Sequence, residues 1–142
     1  MAIIKFKARK NIYSSKQLVA YVLTDKGRIE RPFATPIVLQ NINRLEINTI
    51  HKDFLENQKY AKKRTNGNDL LHEIVALHKD DVANNSVTPE MLQDMMETYI
   101  KMRGAENAQI IAKSHDGQHI HFMIGNNEYC SSKSLRMSHK QM

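Results

Sequence analysis

One cysteine, Cys130, stands in 142 residues, so neither an internal disulfide nor a thiolate zinc finger can be built. No stretch approaches the roughly twenty apolar residues that a membrane helix needs, and the opening MAIIKFKARKN lacks the apolar core and cleavage site of a secretory leader. The expectation is a cytoplasmic protein with no membrane contact. Internal repeats, low-complexity tracts and an interdomain linker are also missing, and the length suits one domain covering residues 1–142.

What remains is a globular composition, with 41% hydrophobic and 25% charged residues. Lys and Arg outnumber Asp and Glu by 21 to 15, which favours a polyanionic partner. Basic residues gather at Lys5, Lys7, Arg9 and Lys10, at Lys59, Lys62, Lys63 and Arg64, and at Lys133, Arg136 and Lys140. The groups Lys62, Lys63, Arg64, Lys133 and Arg136 suit phosphate contacts, which position a nucleic acid without reading its sequence.

Hydrophobic periodicity sets the elements. Residues 3–8 alternate as a half-buried strand. Ser14 or Ser15 can cap a helix carrying Leu18, Val19, Val22 and Leu23 on one face, with Gly27 as its stop. Residues 31–40 read as a loop because Pro32 and Pro36 interrupt pairing. Ile47, Ile50, Phe54 and Leu55 predict a long helix from about Asn43 to Arg64. The run LLHEIVAL, residues 70–77, reads as an interior strand with Leu71, Glu73, Val75 and Leu77 on one face. Thr88, Pro89 and Glu90 start a helix that ends at Gly104, and Met91, Leu92, Met95, Met96, Tyr99 and Ile100 form its apolar stripe. Two strands follow, about 108–114 and 119–124, with Asp116 and Gly117 as the turn signal. The class is α+β: a central antiparallel sheet with helices packed mainly on one face.

The chemistry concentrates in IIAKSHDGQHIHFMIGN, residues 110–126. Alternation sends His119 and His121 to one sheet face, and Ile120, Phe122 and Ile124 to the other. Two imidazoles two residues apart on a strand lie within reach of one cation, and His115 is the natural third donor. Register decides its part. A two-residue turn pairs His115 with Gln118 and points it away, whereas a three-residue loop sets it across from His119; the sequence leaves both open. Glu73 reads first as half of a salt bridge and second as a residue that orients a ligand or serves as a base. His72 and His78 read as surface or satisfied core histidines, and His51 and His139 have no supporting spacing.

The histidine segment resembles the signature of the plasmid relaxase and mobilisation nuclease family, a branch of the HUH endonucleases, in which His-x-Asp is followed after a short gap by His-x-His and apolar residues. Tyr21, in QLVAYVLTDKG, is similar to the family's early tyrosine on the helix after the first strand. LLHEIVALHKDD, TPEMLQDMMETYIKMRG and AQIIAKSHD resemble its succession of strand, helix and histidine strand, and KSLRMSHKQ its basic, serine-containing tail. Two departures are plain: Asp116 follows His115 directly, and the gap from His115 to His119 is short.

The resemblance implies a site- and strand-specific nickase and strand transferase acting on single-stranded DNA at an origin of transfer, with accessory mobilisation proteins as possible partners. It also implies a divalent cation, magnesium or manganese, held by His115, His119 and His121, and Tyr21 as the nucleophile that forms a 5′-phosphotyrosyl bond. Tyr13 is the nearest rival to Tyr21, while Tyr60, Tyr99 and Tyr129 also compete, with Tyr99 placed in the core by its stripe. Two other readings stand beside this one. A rolling-circle replication initiator would use a tyrosine downstream of the histidines, where only Tyr129 lies. A noncatalytic basic nucleic-acid-binding module would carry the histidine pair incidentally.

Overall fold

The computed structural model describes residues 2–9, 15–23, 37–61, 70–77, 88–115, 119–131 and 133, with the backbone alone described at 2–9 and 115. In chain order the elements are β1 (Ala2–Arg9), α1 (Ser15–Leu23), β2 (Ile37–Gln40), α2 (Ile47–Gln58), β3 (Leu70–Leu77), α3 (Pro89–Arg103), β4 (Ala108–His115) and β5 (His119–Glu128). The strands form one antiparallel sheet in the order β1-β3-β5-β4-β2. The α+β class and central antiparallel sheet expected from the sequence are therefore present.

Strand β5 occupies the middle of the sheet, and its alternation explains the two cores. Met123 joins Ile111 of β4 and Leu70 of β3 beneath α1 and α2, with Leu18, Val19, Val22, Ile50 and Phe54 packed over them. Ile120, Phe122 and Ile124 face the other way, with Ile110, Ala112 and the α3 residues Leu92, Met96 and Ile100. The helices are thus divided: α1 and α2 cover one face and α3 the other. Packing mainly on one face was the expectation, but strands whose two faces are both apolar need cover on both sides.

Two boundaries also move. Helix α2 begins at Ile47, later than the expected Asn43, because the Asp53 carboxylate accepts the backbone N–H groups of Asn43 (2.8 Å) and Arg44 (2.9 Å). Arg44 also engages Asp53 and Glu56 through its guanidinium, and these bonds hold its pKa well above the usual value. The segment before the helix is thereby folded back against it. The helix ends at Gln58, and the basic run at 62–64 lies outside the described residues. Within the stretch read as loop, Ile37–Gln40 pairs with Ile110–Lys113 as an edge strand.

Helix α3 follows its sequence signals. The Thr88 hydroxyl accepts the Met91 N–H at 3.2 Å, and Gly104 closes the helix in the left-handed conformation at φ 70°. No atom lies within 4 Å of where a Cβ would stand on Gly104, so Gly104→Ala meets conformational strain alone. We expect a loss of about 1 kcal/mol in chemical denaturation, with no change in fold. A second prediction concerns His51 on α2, whose pKa is pushed below its ordinary 6.5 by burial and by the neighbouring charges of Lys16, Lys52 and Arg44. Since the unfolded chain takes up that proton more readily, His51 stabilises the fold fully above about pH 6.5 and loses this contribution as the pH falls. Denaturation midpoints measured from pH 7.5 to 5 should therefore decline less steeply in His51→Gln than in the parent.

Candidate active site

Helix α1 delivers Tyr21 to the sheet. Leu18, Val19 and Val22 anchor the helix in the core, which leaves Tyr21 on its flank, 37% exposed. Beneath it, the pairing of β3 with β5 sets His72 opposite Met123 and His121 opposite Ile74, so the two histidines lie diagonally on one face. Both are buried, His72 at 3% and His121 at 5% exposure. The His72 Nε2 and His121 Nδ1 atoms are 3.1 Å apart, and the rings stack at 29° with centroids 5.3 Å apart. Tyr21 meets both edge-on, with centroids 5.7 Å from His72 and 5.3 Å from His121. One phenol, reachable from solvent, therefore touches two buried imidazoles.

The histidines expected from the sequence are placed as follows. His121 belongs to the cluster. His119 lies two residues nearer the hairpin on the same strand and is half-buried. The register pairs His115 directly with His119, so three residues separate the strands and the three-residue alternative holds. Among the described residues, no three His, Cys, Asp or Glu side chains converge as a metal cage. His72, which had read as a surface or satisfied core histidine, is the residue the sequence reading missed. Its only signal was its position in LLHEIVAL, opposite in parity to Leu71, Glu73, Val75 and Leu77. Lys113 was missed too: it is fully buried and pairs with His121 from the β4 side.

The donor chemistry can be tested against a cation. Two nitrogens 3.1 Å apart are spaced as neighbouring ligands of one ion, each about 2.1 Å from it. Imidazole donors suit first-row transition ions better than magnesium, which prefers oxygen. The pair fits a divalent cation as two ligands, with His119 next in line on the same face.

The other expected residues lie apart. Glu73 faces α3, where its buried carboxylate accepts the Tyr99 hydroxyl and forms an ion pair with Arg103 at 3.1 Å. The salt-bridge reading of Glu73 is the one observed. Burial and the Glu73 hydrogen bond push the Tyr99 phenol far above its usual pKa, which keeps it protonated and in the core. Lys133 is exposed and lies 3.6 Å from Glu128, at the end of β5 remote from His121. Lys62, Lys63, Arg64, Arg136 and Tyr13 lie outside the described residues.

Tyr21 therefore stands against His72 and His121 on one face of the antiparallel sheet. Residues 21–142 match the nuclease domain of MobA/VirD2-like relaxases, and the chain belongs to that family. Membership makes this a relaxase nuclease domain, of a kind that nicks DNA. No curated protein and no solved structure matches the chain. No helix among the described residues is long and apolar enough to cross a membrane.

The Glu73 cluster yields a stability prediction separate from the chemistry. Glu73→Ala leaves the Arg103 guanidinium, 7% exposed, without its carboxylate. Unfolding free energy should fall by about 3 kcal/mol, while the environment of the Tyr21 phenol, followed by NMR, stays unchanged.

Proposed function

We propose that the protein is a metal-dependent nickase and strand transferase for single-stranded DNA, with Tyr21 as its nucleophile. The observation that carries this reading is the contact of the Tyr21 ring with both His72 and His121. In the reaction, the Tyr21 oxygen bonds to phosphorus and the bond to the 3′ oxygen breaks. The phosphate stays on the 5′ side, joined to the protein, and the 3′ oxygen leaves with a proton. Rejoining is the reverse, so the energy of the phosphodiester is conserved. The natural substrate would be an origin of transfer on a plasmid or mobile element, with accessory mobilisation proteins as further partners, in the cytoplasm of a bacterium.

A free phenol has a pKa of about 10, so attack near neutrality needs help with its proton. A nearby cation or base would have to supply that help. The stacked pair limits rotation of both rings, and α1 fixes the phenol over them, which lowers the entropy lost on reaching the reactive geometry. His72, His121 and His119, with His115 across the hairpin from His119, would hold the divalent cation. When bound, that cation offsets the charge that develops on the phosphate oxygens. Both magnesium and manganese are candidates.

The rolling-circle alternative requires Tyr129, which follows the end of β5 at Glu128. Glu128 pairs with Ala108 and His121 with Lys113, five residues or about 17 Å apart along β4, so Tyr129 beyond Glu128 is too far to share a phosphate with His121. The noncatalytic module gives no reason for a partly exposed phenol against two buried histidines.

Incubation with single-stranded oligonucleotides carrying the transfer origin should yield a covalent protein–DNA species whose linked peptide contains Tyr21. Chelator should block its formation, and manganese should restore it. Tyr21→Phe should give no adduct. His72→Ala and His121→Ala should each slow cleavage and raise the manganese concentration needed to restore it. An adduct at Tyr129, or full activity in chelator, would defeat the proposal.

A further inference from the structure

Strand β1 forms one edge of the sheet and pairs antiparallel with β3: Ile4 with Val75, Phe6 with Glu73 and Ala8 with Leu71. Directly opposed residues share a sheet face, and Leu71, Glu73 and Val75 belong to the face covered by α3. Alternation therefore places Lys5, Lys7 and Arg9 on the other face, the one that carries His72 and His121. Lys7 pairs with His72 itself, and Lys5 pairs with Ile74, whose other partner is His121. The Tyr21 ring meets His121 on β5 and His72 on β3, so β1 is the next strand outward, about 4.8 Å beyond β3.

Charge on this part of the face has one sign. The β3 residues that share it are Leu70, His72, Ile74 and Ala76, and the β5 residues opposite them are Gly125, Met123, His121 and His119. None is acidic. Helix α1, SKQLVAYVL, contributes Lys16 and no carboxylate. Glu73 belongs to the far side, held by Arg103. Residues two apart on a strand are separated by about 6.6–6.8 Å, close to the step between successive phosphates of an extended single strand. Three basic residues at alternate positions thus match three neighbouring phosphates, contacts that position a strand without reading its bases.

We propose that the β1 edge is the track for the DNA backbone beside the nick, with Lys5, Lys7 and Arg9 taking successive phosphates of the single strand whose scissile phosphate lies at Tyr21. The inference rests on the nickase reading above and gives that site its approach path. Basic residues on an edge strand also discourage pairing with another sheet. That role needs no DNA, and the experiment separates the two.

The test is fluorescence anisotropy of the full chain with labelled dA and dT homo-oligonucleotides, in chelator, over a series of salt concentrations. The slope of log affinity against log salt counts the phosphates engaged, at about 0.7 for each on a single strand. We expect Lys7→Gln to reduce that slope by about 0.7, and the triple variant Lys5→Gln, Lys7→Gln, Arg9→Gln to reduce it by about 2, equally for both oligonucleotides. Lys7→Arg should keep the parent slope. Lys101→Gln removes the same charge from the exposed side of α3, on the other face, and should leave the slope unchanged. Melting temperatures verify that each variant is folded, and the single variant carries the test if the triple one is not. A parent slope in Lys7→Gln, or an equal drop in Lys101→Gln, overturns the track. Because no cleavage is read, such a result leaves the nickase reading intact, and that reading stands or falls on the Tyr21 adduct.

Discussion

The arrangement depends on the antiparallel pairing of β3 with β5. That ladder sets His72 opposite Met123 and His121 opposite Ile74, and the diagonal between them brings two imidazole nitrogens to 3.1 Å. A slip of one residue would turn every β3 side chain over, burying His72 against α3 and exposing Glu73 to the face now held by Tyr21. Glu73, Tyr99 and Arg103 oppose such a slip, because turning Glu73 over would break its bonds to Tyr99 and Arg103. The charged cluster beneath α3 thus adds to the specificity of strand register.

Much of the fold was legible because period-two and period-3.6 patterns report directly on burial. Strand β5, the Thr88 cap and the Gly104 stop needed only local chemistry. Short motifs also singled out His121 and Tyr21, whose rings are in contact. What stayed hidden was which strands are neighbours. His72 looks ordinary within LLHEIVAL, and only the pairing of β3 with β5 brings it to His121. The start of α2 was misjudged because the Asp53 bonds to Asn43 and Arg44 bridge about ten residues and override helix periodicity. The division of helices between the faces was likewise a tertiary fact: apolar residues at alternate β5 positions predict one covered face, whereas Met123 and its neighbours required a second.

The two faces carry different duties. On the α3 side, Phe122, Ile124 and Met96 make a dry core with one buried ion pair at its edge. On the α1 and α2 side, apolar packing stops short of the hairpin end of the sheet, where His72, His121 and Lys113 are buried among one another's strands. Polar groups are affordable there only because strand pairing has already fixed the backbone on either side of them. The sheet's interior thereby supplies a rigid floor, and a single short helix supplies the phenol.

That short helix has a mechanical consequence. Tyr21 rides on nine residues held by Leu18, Val19, Val22 and Leu23, with no disulfide available to tie them down. A strand covalently joined to Tyr21 would transmit any pull on the nucleic acid straight into those four apolar contacts. If Tyr21 is the nucleophile proposed above, tension along the DNA and loosening of the hydrophobic core would be one event, and the packing of α1 would set how hard a tethered strand can be hauled before the domain gives way.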